Sequence, residues 1–333
     1  MKKNILLAVL LVVTVLAASA MSETGKAGMA GAFMKFGLGA RALGMGSAYC
    51  SIAEGIDAIY YNPAGPGMYP ASQVAFTYQS LTLDRNLNSA AILYPVQNEA
   101  VLGFAWIHAS VSDVPMIDSD RNYYDDFHNN NNAFGLTFSK LFGDQLSIGG
   151  TLRYIQSTLD VINSYTVGVD LGVLFKPHPH YSVGIAASDL GSNMRWDSSN
   201  YWSGDRGSDY TDKFPYRFRG GVSGSFIDEQ VIASVDVMKV ERLNPKFYAG
   251  AEYWFSKKVS TFIEDEEAED EIVEVRTNKR ILGLRSGFAD GSFTAGMSLY
   301  YPVGNYSGGF DYAFVTGKQD EGSNHVFTVR LVF

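Results

Sequence analysis

Gly37, Gly39 and Ala42 stand in the spacing Gly-x-Gly-x-x-Ala, and Asp57 follows at a distance that would suit a ribose-binding acid. Binding a dinucleotide that way needs a buried strand before the glycines and a helix after them, whereas here a Gly/Ala/Met stretch comes first. His178-Pro179-His180 offers two imidazoles, but the proline between them and the lack of a third Cys or His nearby favour a turn over a metal centre. Asp118, Asp120 and Asn122 form an oxygen-rich loop without the glycine and terminal glutamate of an EF-hand; a solvated loop and weak cation bridging both fit. Ser223 is flanked by Val222 and Gly224 without the full Gly-x-Ser-x-Gly spacing, and no His or acid stands out as its partner. The residues therefore predict no catalytic constellation, no metal and no cofactor, although a hydrolase site assembled from distant strands would leave no local mark.

The elements that carry these residues read as strands. From Gln73 onward apolar and polar or small residues alternate with period two, in runs separated by turn residues. Phe327, Val329, Leu331 and Phe333 share one face while Thr328 and Arg330 share the other. Leu146, Ile148, Leu152 and Tyr154 oppose Ser147, Thr151 and Arg153, and the run Tyr165 to Phe175 opposes Thr166 and Asp170. The runs number about fourteen, each of roughly 9 to 12 residues, enough for a tilted strand to cross a bilayer's hydrocarbon. The expected fold is all-β, a transmembrane antiparallel barrel of about fourteen strands. A soluble, secreted β-sandwich also alternates, but closure removes exposed edges, and Trp106, Tyr154, Tyr301 and Phe333 sit where interfacial girdles would be.

An even strand number makes Asp113 to Asn131, Leu190 to Pro215 and Val315 to Asn324 outer loops, and Tyr94 to Gln97 and Phe142 to Asp144 inner turns. The same parity puts the acidic run Ile263 to Ile272 on the inner side. It reads as a long solvated turn or a hairpin reaching past the membrane, with a docking or divalent-cation surface as the alternative; two strands hidden there would raise the count to sixteen.

Composition narrows the function class. Charged residues make up 18% of the 333, aromatics 14%, and the formal net charge is −9. That balance suits lipid-facing strands and argues against nucleic acid, whose phosphates call for Lys/Arg patches. Lys2 and Lys3 precede an apolar run from Ile5 to Ala18, and Ala18-Ser19-Ala20 supplies a small-residue cleavage pattern, so residues 1–20 are expected to be a secretory signal peptide with the mature chain starting at Met21. Cys50 is the only cysteine, which forbids an intramolecular disulfide.

Ahead of the strands lies FGLGARALGMGSAYCSIAEGIDAIYYNPAG, from Phe36 to Gly65. Its glycines predict a compact, irregular segment, and Asn62-Pro63 a turn; an ordinary surface loop is the alternative. This stretch resembles the amino-terminal plug of FadL-type (FadL/TodX-like) outer-membrane proteins. The likeness rests on Gly37, Gly39, Arg41, Gly44 and Gly46 and then Asn62-Pro63-Ala64. In wording it is most similar to PorV/PorQ-type members.

The resemblance implies a plug or hatch at 21–70, a barrel at 71–333, and integral placement in the bacterial outer membrane after export. It also implies movement of hydrophobic, fatty-acid-like molecules, with lining from Phe33, Met34, Phe36, Leu38, Leu43 and Met45 and Arg41 as an anchor for a carboxylate. Inside a barrel Arg41 equally suits a salt bridge to Asp170, Asp236, Glu252 or Asp311. Asn62, Pro63 and Ala64 would latch plug to wall. The PorV-like side of the resemblance implies a second role, binding and shuttling exported proteins in type IX secretion. Trp196, Tyr201, Trp202 and Arg206 on the longest outer loop are candidate contacts for cargo, ligand or lipopolysaccharide. A structural barrel without transport is the third possibility. Expected partners are outer-membrane lipid and lipopolysaccharide, the barrel assembly machinery that reads the terminal Phe333, and either a hydrophobic ligand or secretion-system proteins.

Overall fold

A computed structural model of the chain describes residues 30–82, 85–97, 99–118, 120–199, 207–264, 272–303, 306–317 and 322–333. The expected signal peptide lies outside these residues. Sixteen strands are described: β1 Gln73–Leu81, β2 Arg85–Val96, β3 Ala100–Ile117, β4 Tyr123–Phe142, β5 Leu146–Leu159, β6 Ile162–His178, β7 Tyr181–Leu190, β8 Asn193–Asp197, β9 Asp209–Lys213, β10 Arg217–Phe226, β11 Val231–Val240, β12 Lys246–Glu264, β13 Ile272–Ala289, β14 Ser292–Val303, β15 Tyr306–Thr316 and β16 Ser323–Val332. All but β8 and β9 close into one antiparallel barrel of fourteen strands, sealed where β1 pairs with β16 in the register Val74 to Leu331.

The period-two pattern sets which side chain faces where. Phe104, Leu136, Leu152, Val167, Leu171 and Val329 lie exposed on the outer wall, while their neighbours Thr137, Thr151, Asp170 and Thr328 are buried inside. Such a wall is apolar outwards and polar inwards, the reverse of a soluble domain, and the arrangement lipid requires. Closure pairs every strand on both sides, so the ring has no open edge. No helix among the described residues is long and apolar enough to cross a membrane.

Two expected outer loops are shorter than the sequence implies. Most of Asp113 to Asn131 belongs to β3 and β4, whose ladder continues to Ile117 and Tyr123 past bulges. Polar Asn129 to Asn132 mimic loop composition yet pair in register with β5. Within Leu190 to Pro215 a separate ribbon forms, β8 with β9. At the acidic run β12 and β13 pair as far as Glu264 with Ile272, the barrel count stays at fourteen, and residues 265–271 lie outside the described residues. Below, the end of the barrel where Gln73 and Val332 lie is the lower end, and the end carrying the β8–β9 ribbon is the upper end.

Candidate functional site

Residues 30–72 run inside the ring. After a single 3-10 turn, Ala32–Lys35, come three short helices: α1 Ala40–Gly44, α2 Ala58–Tyr61 and α3 Gly65–Met68. The segment bonds to opposite walls at once. Thr328 Oγ1 of β16 accepts from the Ala40 N–H at 3.0 Å, Asp236 of β11 accepts from the Tyr49 and Cys50 N–H groups at 3.0 and 2.9 Å, and the Ser147 hydroxyl of β5 donates to the Ala64 carbonyl at 2.6 Å. Its irregular backbone finds partners it could not supply itself.

Close approach is permitted by missing side chains. Gly46 has φ 63° and lies on the backbone of β12 and β13, where an added Cβ would overlap the Ala249 carbonyl and Phe288. On the opposite wall Gly172 leaves room for Asn62, whose Nδ2 donates to the Cys50 carbonyl at 2.9 Å and the Val173 carbonyl at 3.1 Å while its Oδ1 accepts from the Ala64 N–H at 3.1 Å. Asn62 thus joins two turns of the segment to β6. Pro63 rests on Gly149.

Charges fill the lower and middle interior. Arg41 is 2% exposed; its Nη2 and Nε reach Glu252 at 2.6 and 3.2 Å, and Nη2 reaches Glu54 at 3.0 Å. Arg280 grips Glu54 from β13 at 2.8 Å, and Arg41, Arg280 and Arg285 all lie against the Trp254 ring. Around the wall the chain of pairs continues from Glu252 through Arg285, Asp311 and Arg330 to Asp57. A second group joins Arg153, Asp170, Asp189 and Arg217, and Arg217 also donates to the Met34 carbonyl at 3.0 Å. Burial alone would raise the Glu54 carboxyl, but the Arg280 and Arg41 guanidiniums overcome it and hold Glu54 below the usual carboxylate range. For Asp57 burial prevails over Arg330, and its carboxyl is raised.

The upper interior differs in kind. Phe33, Met34 and Leu38 of the segment pack with Leu81, Leu87, Ile107 and Ile155 of the wall, and the β7–β10 connection closes them in with Met194 and Phe214. Between the segment and β1–β5 lies a small, partly open cavity of about 40 Å³, bordered by Leu38, Ile59, Tyr60, Asp57, Thr151 and Arg153. That holds little more than a water or two, against several hundred Å³ for a typical ligand pocket. The upper interior is an apolar chamber filled by its own side chains, with Arg217 reaching it at the Met34 carbonyl, above an ion-paired floor.

The residues singled out from sequence divide between these environments. Phe33, Met34 and Leu38 share the chamber. Phe36 is 37% exposed beneath Arg85. Leu43 instead packs on Ala313 and Val326, and Met45 on Tyr49 and Trp254, so neither lines the chamber. Arg41 makes the ion pair with Glu252 named among its alternatives and presents no open face to a ligand. Trp196 lies half-buried against the chamber cluster rather than standing out in solvent; Tyr201, Trp202 and Arg206 lie outside the described residues.

The other candidates resolve into turns and contacts. Asp118 accepts from the Asp120 and Asn122 N–H groups at 2.9 and 2.8 Å and closes the β3–β4 turn. His178 accepts from the His180 N–H at 3.2 Å in the β6–β7 turn, and Ser223 meets the Ser182 hydroxyl at 2.7 Å. Gly39 abuts the Asp57 carboxylate, where a Cβ could not fit. Glu54, Arg280, Arg285 and Trp254 escaped the sequence reading: the inward strand parity of Arg285 and Trp254 was visible but not their partners, Glu54 lies in no strand, and Arg280 turns inward only past the register shift at Phe255 and Ser256.

No family model matches this chain, and no curated protein does. Solved structures share its fold. The CymD monoaromatic hydrocarbon channel superposes with a TM-score of 0.54 at 13% identity, over 89% of this chain and 96% of that one. The toluene transporter TodX of Pseudomonas putida gives 0.56 at 11% over the same shares, and a FadL homologue from Pseudomonas aeruginosa gives 0.52 at 9%, over 83% and 93%. The fold is that of FadL-type outer-membrane channels.

Proposed function

We propose that this chain is an outer-membrane channel for hydrophobic small molecules, with the segment to residue 70 acting as a plug inside a barrel formed by residues 71–333. The observation that carries this reading is the apolar chamber at the upper end. An aqueous pore would keep its lumen polar and wet, whereas this one buries Phe33, Met34, Leu87 and Phe214 against each other. Structural neighbours described as a toluene transporter and a monoaromatic hydrocarbon channel support the same class of cargo.

In this reading Phe33, Met34 and Leu38 occupy the place a cargo molecule would take. Entry requires the segment from Ala30 to Leu38 to withdraw, while the ion-paired floor keeps the lower end closed. Arg41 acts as a latch for that floor, with Glu252 and Glu54 as its partners, and Asn62-Pro63-Ala64 pins the plug to β5 and β6. The protein does no chemistry on what it passes.

The test is mass spectrometry of the protein extracted mildly from its native membrane, together with uptake of radiolabelled toluene and oleate by cells lacking other hydrophobic channels. A retained hydrophobic compound, and uptake that depends on the chain, is the expected result. Recovery of a large secretion channel or exported cargo, with neither ligand nor uptake, would overturn it in favour of the type IX shuttle role.

A further inference from the structure

Beneath the ion-paired floor, at the lower end of the barrel, lies a cavity of about 240 Å³. It separates Ile52, Glu54 and Tyr69 of the inner segment from the wall formed by β6, β7, β10, β11 and β13. Pro179 and His180 of the β6–β7 turn and Glu229 of the β10–β11 turn, all exposed, form its mouth. The Ser225 N–H donates to the His180 carbonyl at 2.9 Å, and the Ser225 hydroxyl lies 3.3 Å from His180 Nδ1. The bonds tie the β6–β7 turn to the end of β10, so the mouth keeps its shape.

Lys176 and Arg280 border this space with bonding capacity unspent. The Lys176 ammonium lies 5.3 Å from the centre of the Tyr69 ring and has no acid within ion-pair distance among the described residues. A ring contact uses none of its N–H groups. Arg280 gives Nη1 to both Glu54 oxygens at 2.8 Å, while its Nε and Nη2 make no hydrogen bond among the described residues. Glu54 is already shared between Arg280 and Arg41, and the other acid bordering the cavity, Glu229, stands out at the mouth. Buried Ile52 and Ile232, with the Tyr69 ring, give the cavity an apolar side.

We propose that this cavity binds a small organic acid arriving from the lower side, its carboxylate in the field of Lys176 and Arg280 and its carbon body against Ile52, Ile232 and Tyr69. Chemistry selects this occupant. Cations with unspent N–H groups match a carboxylate, and the apolar side matches a body that inorganic phosphate lacks. A neutral hydrocarbon would cover both cations and pair with neither. The occupant touches segment and wall together, so its binding favours the closed arrangement by mass action. The site itself is independent of what the barrel passes; only its effect on closure rests on the channel reading.

The full-length protein in phosphatidylcholine nanodiscs is titrated with 4-fluorobenzoate, and binding is read from the fluorine NMR signal against empty nanodiscs. Saturable binding is expected, displaced neither by inorganic phosphate, which has the charge alone, nor by fluorobenzene, which has the ring alone. Lys176→Met should weaken it about tenfold, the worth of one charge-assisted hydrogen bond, and Lys176→Arg should largely retain it. Glu229→Gln should strengthen it about threefold by removing a like charge at the mouth. Heat-modified gel mobility confirms that each variant is folded. Absence of saturable binding, displacement by phosphate or fluorobenzene, indifference to Lys176→Met, or weaker binding in Glu229→Gln overturns the proposal. Benzoate binding that leaves open-state occupancy in planar bilayers unchanged would sink the closure effect and leave the site standing.

Discussion

Arg41→Met is expected to free the plug from its floor, and the size of the effect follows from what the substitution leaves behind. Arg41 Nη2 lies 2.6 Å from Glu252 and 3.0 Å from Glu54. Without the guanidinium, Glu252 keeps Arg285 at 3.6 Å and Glu54 keeps Arg280 at 2.8 Å. Breaking a buried pair costs about 3–5 kcal/mol when one charge is stranded. Because each acid retains one cation, the lower figure applies, and about 3 kcal/mol is roughly a hundredfold change in the closed-to-open ratio. Single-channel recording in planar bilayers should show open-state occupancy rising by about that factor until it saturates. Arg41→Lys should fall between, since an ammonium reaches one acid but not both in the same geometry. Adding Glu252→Gln to Arg41→Met should recover part of the closure by removing the weakly paired acid. Wild-type occupancy in Arg41→Met would refute the latch, and so would a double variant that opens more than the single one.

Gly172→Val should push Asn62 off β6 and raise sensitivity to large antibiotics, whereas Gly308→Ala, where an added Cβ meets nothing nearer than the Tyr301 carbonyl at 3.8 Å, should leave sensitivity unchanged. Asn62→Ala removes bonds to Cys50, Val173 and Ala64 and should cost about 1–3 kcal/mol, read as a lower melting temperature and higher leakage; unchanged conductance would count against its role as a pin. Glu54 is held below its usual value of 4.5, so its contribution is complete above that value and is lost as pH falls through the lowered one. Conductance should therefore be flat from neutral pH down to about 5 and rise in stronger acid; a rise between pH 7 and 5 that Glu54→Gln removes would contradict the assignment. Phe33→Ala with Met34→Ala should enlarge the chamber and raise binding of a small aromatic probe, measured by displacement of a fluorescent dye; reduced binding would mean that these side chains form the site and do not fill it.

The barrel was legible because lipid imposes a rule on every second residue. Val167, Val169 and Leu171 face outwards and Thr166 and Asp170 inwards whatever their neighbours do, so the count of fourteen could be read from one chain, while the expected inner turns began early, since Tyr94 to Val96 pair within β2 and Phe142 belongs to β4. The same rule misjudged the upper rim, where Asn129 to Asn132 look like loop but extend β4, because above the lipid the ladder is held by backbone pairing and no longer needs apolar side chains. The interior followed a different logic. Inward parity marked Asp170, Asp236, Glu252 and Asp311 as charges needing partners, but parity repeats on every strand and cannot say which plug residue sits opposite.

That choice is made by the places where wall and plug backbones can touch. Met45 and Gly46 settle where β12 and β13 offer Gly250 and Gly287, and Asn62 and Pro63 settle where β5 and β6 offer Gly149 and Gly172. Two seats on different walls fix the segment's height and rotation, and Arg41, in the helix that ends at the first seat, is then carried to Glu252 of β12 with no other acid but Glu54 in bonding reach among the described residues. The glycines thus decide the ion pairs. A plug that leaves those seats must break its charges from the wall together, which is why a floor of paired charges can stay shut while the apolar residues above it, Phe33 and Met34, yield to a cargo that competes only for burial.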